Sequence, residues 1–391
     1  MKFFHLSDLH IGKHLFYYSL LEDQKYVFHQ ILEAAKEEQP DAVLLCGDIY
    51  DKTIPSAEAV SLFDWFLTEL KETLPKALIL IIAGNHDSGE RLEFARELLE
   101  KEGVFIAGLP PRETDEKIRK VTMTDPAGEV CFYLLPFTKP SHLRKKYEEE
   151  KIDSYEDAVK KLLEEEEIDT TKRNVLLSHQ FYLSGGSEPL TCDSEIRMAG
   201  GIDEIDTRLL EEADVFRDFD YVALGHIHRA QRIGKGQCYY SGTPLKYSVS
   251  EASHEKSFQI VELGEKGQEP VVRKKQLKPL RELCVLRGTL QEVLEQREHA
   301  KDFVSITLTD EEEPYMPKEQ LELVFDHILE IRIDNERTRR ILDLYEEEEE
   351  TESLFESFAS FFETVQGRSM NEAEQEAAQD AWNEIIEGGA E

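Results

Sequence analysis

Short apolar runs recur along the first two-thirds of the chain, and five of them stop at a residue able to bind a cation. Phe3-Phe4-His5-Leu6 runs into Ser7-Asp8-Leu9-His10, residues 42–46 into Gly47-Asp48, and residues 77–83 into Gly84-Asn85-His86-Asp87. Residues 174–177 lead to Ser178-His179, and 221–224 to Gly225-His226-Ile227-His228. β-Branched and aliphatic runs this short form buried strands. In layered α/β proteins ligands collect at the carboxyl ends of such strands. Five strand ends offering Asp, His and Asn therefore predict one shared site.

Between these runs the apolar positions change to helical spacing. Residues 19–38 form one helix, ended by Pro40, and Pro55-Ser56 open a second that carries Val60, Leu62, Phe63, Trp65, Phe66 and Leu70. A third is expected over 91–102. The apolar face of the second is wider than one core contact needs, so the helices around 55–70 and 91–102, with Leu92, Phe94 and Leu98, are the expected homodimer patch. Further strands are expected at 104–107, 117–123, 130–135, 257–263 and 271–275. The charged interval 142–169 reads as an exposed helical excursion, and 181–206, rich in Gly and Ser, as a loop bordering a cleft. The order of elements predicts an α/β fold, a two-sheet sandwich flanked by helices, over residues 1–278.

A boundary falls at 277–279. Beyond it, strand 283–286, helix 290–297, strand 303–308, helix 318–325 and strand 328–333 make a small α+β domain, 279–344, with no His or Cys constellation. Residues 345–391 are an acidic linker, including 346–350, followed by a helical hairpin. Leu354, Phe358, Phe361 and Val365 recur at helical spacing, Gly367-Arg368 turn the chain, and Ser369 with Glu372 have the spacing of a capping box. Ala377, Ala378, Ala381, Trp382, Ile385 and Ile386 give the second helix one apolar side. Two helices cannot bury that much aromatic surface against each other alone, so the tail is expected to dock into a groove on another protein.

Charge narrows the choice of partners. A formal net charge of −36 argues against binding nucleic acid by bulk electrostatics. Any grip on DNA has to be local; Arg144-Lys145-Lys146, Lys172-Arg173 and Arg273-Lys274-Lys275 are the candidate patches. The five cysteines are scattered and never arranged as C-x-x-C, which points to a reducing cytoplasm and to neither a disulfide frame nor a zinc knuckle. No apolar stretch approaches membrane-spanning length.

Asp8, His10, Asp48, Asn85, His179, His226 and His228 supply carboxylate, amide and imidazole donors. These are too many for one tetrahedral ion and suit two six-coordinate ions sharing a carboxylate. The mixed nitrogen and oxygen set favours Mn²⁺ or Fe²⁺ over Mg²⁺. Two such ions activate a water and clamp a phosphate ester. His86, next to Asn85, is then free to give a proton to the leaving oxygen or to bond the phosphoryl oxygens, with Asp51 or Asp87 as its orienting carboxylate.

The series D-x-H, G-D, G-N-H-D and G-H-x-H resembles the calcineurin-like metallophosphoesterase superfamily, over residues 1 to about 250. Within it, Ser7-Asp8-Leu9-His10-Ile11-Gly12, Gly47-Asp48-Ile49-Tyr50-Asp51, Gly225-His226-Ile227-His228-Arg229-Ala230-Gln231 and Ser241-Gly242-Thr243-Pro244-Leu245 resemble bacterial nuclease subunits that act beside an ABC-type ATPase. The resemblance implies that Asp8, His10, Asp48 and His228 hold one Mn²⁺, that Asp48, Asn85, His179 and His226 hold the other, and that His86 is catalytic. It also implies a homodimeric core, a capping domain, and a C-terminal helix-loop-helix on the base of the ATPase coiled coil. Double-strand exonuclease and hairpin-opening single-strand endonuclease activity would follow. Two alternatives are a metallophosphatase of another phosphoester and a non-catalytic scaffold. Against the first, Lys52 follows Asp51 where superfamily protein phosphatases usually carry Arg; against the second, no expected ligand is missing.

Overall fold

The computed structural model describes residues 1–148, 152–184, 189–193, 195, 204–206, 218–234, 236–312, 314–339, 354–371, 374, 375 and 378. Within them the chain divides into two compact units. The larger comprises Met1–Val285, Glu298–Ser305 and Phe325–Leu329; the smaller comprises Leu286–Arg297, Ile306–Val324 and the described residues from Glu330 onward.

In chain order the first elements are β1 (Lys2–Leu6), the short ribbon β2 (His14–Leu15) and β3 (Tyr18–Ser19), α1 (Leu21–Glu38), β4 (Ala42–Cys46), α2 (Ala57–Thr73), β5 (Leu78–Ile82), α3 (Gly89–Leu92) and α4 (Arg96–Leu99). There follow β6 (Val104–Ala107), β7 (Arg119–Asp125), β8 (Gly128–Leu135), α5 (Tyr155–Glu164), β9 (Arg173–His179), β10 (Phe181–Leu183) and β11 (Glu204–Asp206). The unit is completed by β12 (Tyr221–Gly225), β13 (Gln231–Ile233), β14 (Cys238–Tyr240), β15 (Ser257–Glu262) and β16 (Val271–Gln276). One six-stranded sheet has the order β16-β15-β1-β4-β5-β6 and the other β13-β14-β12-β9-β8-β7.

The core has layers because side chains alternate along a strand. Phe3, Leu44 and Leu80 of the first sheet meet Phe132, Val175 and Tyr221 of the second. Their neighbours Phe4, Val43 and Ile79 point outward into α1 and α2, where Phe28 stacks on Phe66 with centroids 4.4 Å apart. Strands covered on both faces read as unbroken apolar runs, which is why β4 and β5 stand out in the sequence.

Several expectations change. The interval 181–206, expected to be a loop, begins with β10 and ends with β11, which pair in parallel. The helix expected over 91–102 is broken into α3 and α4 by Ala95, whose φ of 59° is left-handed and cannot continue a helix. The interval expected to be an exposed excursion contains α5, and its Tyr155, Ala158, Val159, Leu162 and Leu163 are buried against the second sheet; residues 149–151 lie outside the described set. The chain after 279 does contain a His/Cys constellation, Cys284 with His299 and Asp302, because the start of one strand folds beside the turn before the next.

After residue 279, β17 (Leu283–Gly288), β18 (Phe303–Leu308) and β19 (His327–Ile333) form a three-stranded sheet in that order. Helices Leu290–Glu295 and Pro317–Glu322 fall in the intervals between them. Helix Leu354–Gln366 occurs where the apolar stripe predicts it, and Phe361 and Val365 are exposed. Of the expected capping-box pair Ser369 and Glu372, the second lies outside the described residues; a reciprocal pair is formed by Asn371 and Glu374. Asn371 Oδ1 accepts from the Glu374 N–H at 3.0 Å while Glu374 Oε2 accepts from the Asn371 N–H at 2.9 Å. The acidic run 346–350, Glu372 and most of the second tail helix lie outside the described residues.

Candidate metal centre

All five strand ends meet at one edge of the sandwich. The loops after β1 and β4 run side by side: the Asp8 N–H donates to the Gly47 carbonyl at 3.0 Å, the His10 N–H to Asp48 at 2.9 Å and the Ile11 N–H to Ile49 at 2.9 Å. Asp8, His10, Asp48 and His226 have φ of 52°, 42°, 48° and 100°. Such angles are sparsely populated by residues with a Cβ and collect at functional sites. The motif glycines are needed for close approach. A Cβ on Gly84 would stand 2.1 Å from Asp48 Oδ1, and one on Gly225 1.9 Å from the Cys46 carbonyl oxygen.

Asp48 lies between two groups of donors. Its Oδ2 is 3.6 Å from His10 Nε2 and 3.3 Å from His179 Nε2. On the first side His10 Nε2 is 3.2 Å from His228 Nε2, and Asp8 closes the group. On the other, Asn85 Oδ1 lies 3.1 Å from His179 Nε2 and 3.0 Å from His226 Nδ1. All seven predicted donors are together. Adjacent donors on an octahedral cation with bonds of about 2.1 Å stand about 3 Å apart. Two divalent cations therefore suit this set, in which nitrogens of four histidines gather around two buried carboxylates.

The electrostatics agree with such a use. Burial pushes the Asp48 carboxyl up, but the His179, His10 and His86 imidazoles outweigh it and hold it well below the ordinary carboxylate range. Burial pulls His10 well below the usual histidine value and His226 down to about 3. Burial also opposes protonation of His179, yet the Asp48 and Asp8 carboxylates raise it to about 9. The His10 and His226 imidazoles, held neutral beside the ionised Asp48 carboxylate, present lone pairs to a cation.

Behind the donors is a layer of orienting groups that sequence reading misses. His179 Nδ1 is 2.8 Å from the Cys46 carbonyl, leaving Nε2 for the centre. His228 Nδ1 is 3.4 Å from the fully buried Glu251, which pairs with Lys256. Glu195, within the loop expected to border the cleft, accepts from the His228 N–H at 2.6 Å. A Glu in a charged segment carries no signal of such a role; only the fold brings it to the histidine.

His86 is half-buried at the mouth of the cluster, its ring edge-on to His10 at 4.8 Å. Neither expected carboxylate orients it. The His86 N–H donates to Asp48 Oδ1 at 2.9 Å, and its Nδ1 is 2.9 Å from the Asp51 backbone carbonyl. The Asp51 carboxylate turns instead to Lys13, at 2.8 Å, and faces His10 Nδ1 at 3.8 Å. Asp87 accepts from the N–H groups of Ile49, Tyr50 and Gly84, pinning two loops together.

The basic runs are largely occupied. Lys145 pairs with Glu113, Lys146 with Glu165, Lys172 with Glu129, Arg273 with Glu38 and Lys275 with Glu37. Arg173 is buried against Asp125, and Lys274 bonds the Ala230 carbonyl.

Comparison with known proteins matches residues 1–230 to the calcineurin-like phosphoesterase family and 279–366 to the family described as the type 5 capsule protein repressor C-terminal domain. The chain is 32% identical over 337 residues to the SbcD subunit of the SbcCD nuclease of Staphylococcus epidermidis, covering 84% of each protein. It is also 32% identical over 307 residues to the SbcD subunit of Staphylococcus saprophyticus, covering 77% of this chain and 75% of the relative. Among solved structures, a dimetal phosphatase from Danio rerio aligns with a TM-score of 0.39 at 12% identity, over 71% of this chain and 96% of that one.

Proposed function

The chain belongs to the calcineurin-like phosphoesterase family, among its SbcD-type nuclease subunits, and from that premise we propose that it is a Mn²⁺-dependent DNA nuclease working with an SbcC-type ABC ATPase. It is a metal-dependent phosphodiesterase. In the proposed reading it acts as a double-strand exonuclease and a single-strand and hairpin endonuclease in DNA recombination, repair and replication. The observation that carries the mechanism is the position of Asp48 Oδ2, within 3.6 Å of histidines from both donor groups.

Asp8, His10, Asp48 and His228 would hold one cation, and Asp48, Asn85, His179 and His226 the other. When bound, such a pair lowers the pKa of a water and neutralises the charge that builds on the non-bridging phosphodiester oxygens. The chain's own contribution is positional. His86, with Nδ1 engaged by the Asp51 carbonyl, keeps Nε2 to hand a proton to the leaving oxygen or to hydrogen-bond the phosphoryl oxygens. Mg²⁺ suits the imidazole-rich set less well than Mn²⁺ or Fe²⁺, and Mn²⁺ is the cation of the proposed reading.

Residues 1–278 would form the nuclease domain, 279–344 the cap and 345–391 the linker and ATPase-binding helices. Exposed Phe361 and Val365 support docking of the tail on a coiled coil, and exposed Val60, Phe94 and Leu98 support a homodimer through the helices near 55–70 and 91–102. No helix among the described residues is long and apolar enough to cross a membrane, and a cytoplasmic, nucleoid-associated enzyme is the reading we adopt.

The test compares wild type, His86→Ala and Asp48→Ala on a phosphodiester and a phosphomonoester with Mn²⁺, alongside elemental analysis. His86→Ala should keep its metal and lose cleavage by about 10²–10⁴-fold, and Asp48→Ala should lose both. Equal metal loss in the two variants would show His86 to be a ligand, and a monoester preference in the wild type would favour a phosphatase.

A further inference from the structure

A second set of donor atoms, sharing no residue with the centre above, converges in the larger unit. Cys284 lies on β17, His299 ends the 3₁₀ turn Arg297–His299, and Asp302 precedes β18. Cys284 Sγ is 3.3 Å from His299 Nδ1 and 3.9 Å from Asp302 Oδ2, and those two atoms are 3.0 Å apart. A tetrahedral Zn²⁺ bound to sulfur at about 2.3 Å and to nitrogen and oxygen at about 2.0–2.2 Å has donor edges of about 3.3–3.6 Å, and the observed triangle brackets that range. In the metal-free chain Asp302 Oδ2 can accept from both the His299 ring and the Cys284 thiol; once the thiol proton is released and the imidazole proton sits on Nε2, all three atoms can give a lone pair to one cation.

We propose that Cys284, His299 and Asp302 form an additional site for a thiophilic divalent cation such as Zn²⁺, with a solvent molecule as the fourth ligand. The His299 and Asp302 side chains keep 32% and 23% of their accessible surface, so an ion can enter and a water can complete its shell. Binding releases the Cys284 thiol proton to solvent and leaves a thiolate on the cation. The metal-free thiol resists ionisation: burial, and then the Asp302 and Glu282 carboxylates, push it up to about 11. The bound ion would tie the first residues of β17 to the turn before β18. No C-x-x-C spacing announces the site, because its ligands come from two elements.

The test titrates the full-length, metal-stripped chain with Co²⁺ alone and follows the near-ultraviolet sulfur-to-cobalt charge-transfer band. The phosphoesterase centre contains no sulfur donor and is silent there. Titration through three equivalents of Co²⁺, two of which the phosphoesterase centre can take, should generate the band. Cys284→Ser should abolish it and bind one ion fewer by elemental analysis, His299→Gln and Asp302→Asn should weaken it at least tenfold, and Cys192→Ser should leave it unchanged. Diester cleavage by Cys284→Ser with Mn²⁺ supplied, and thermal unfolding of its metal-stripped form, should match wild type, which separates loss of the site from misfolding. Absence of the band in wild type, its persistence in Cys284→Ser, or its insensitivity to His299→Gln would overturn the assignment.

Discussion

Four residues of the proposed centre, Asp8, His10, Asp48 and His226, occupy left-handed backbone conformations, each costing on the order of 1–3 kcal/mol. The loop hydrogen bonds that follow β1 and β4 hold the first three there, and the His226 N–H donates to Asp8 Oδ1 at 2.9 Å. Space is as restricted as conformation. Gly84→Ala puts a methyl group against Asp48 Oδ1, so the variant should fold, by circular dichroism, yet bind metal at least tenfold more weakly in elemental analysis. The outer layer is equally testable. Glu251 is the carboxylate behind His228, and orienting groups of that kind carry about 10–100-fold of metal affinity or activity. Glu251→Gln should lose that much in a Mn²⁺ titration of diester cleavage, with the strand framework intact.

At the level of elements, the two sheets are legible because strands buried on both faces cannot carry polar residues until they end. The change from an apolar run to Gly-Asp or Gly-Asn-His therefore marks both the end of a strand and the start of the site. Helices break where one residue adopts a left-handed conformation, as Ala95 does between α3 and α4, and no periodicity forecasts that. Arg173 shows the same limit for charge. In sequence it belongs to a basic pair; in the fold it is the largest fully buried side chain, bonding Asp125 and the carbonyls of Gly128 and Gly264 at 2.8 and 3.0 Å. Arg173→Leu should destabilise the chain by about 1–3 kcal/mol, the cost of leaving buried hydrogen-bonding groups unmet, because Asp125 keeps the Met1 ammonium at 2.8 Å; urea unfolding measures it. The Arg173 guanidinium holds the Asp125 carboxyl well below the ordinary range. The pair's contribution is therefore full above about pH 4, the unfolded value, and is lost as pH falls through the depressed one. The difference between wild type and variant should shrink on acidification below pH ~4.

For the whole molecule, a chain of net charge −36 whose basic runs are mostly paired internally has little free positive surface with which to hold DNA. On the proposed reading, metal contacts at the cleft and the ATPase partner supply that grip. Deleting the residues after Glu350 should leave Mn²⁺-dependent diester cleavage within about threefold of wild type, since no proposed ligand of the phosphoesterase centre lies beyond His228, and should abolish co-purification with the ATPase subunit; partner binding by the truncated chain would place the docking surface elsewhere. Primary structure alone determined the long buried strands and which candidate donors end five of them, because hydrophobic runs and the residues that stop them are local properties; the short strands β2, β3, β10, β11, β13 and β14 carry no such run. It did not determine that a backbone carbonyl, with no side-chain signature, faces His86 Nδ1, nor that Glu251 stands behind His228. Nor did it reveal that Cys284 meets His299 and Asp302. Those pairings were decided by tertiary structure, since each depends on how loops distant in sequence pack against one another, and the distances involved exist only once the chain has folded.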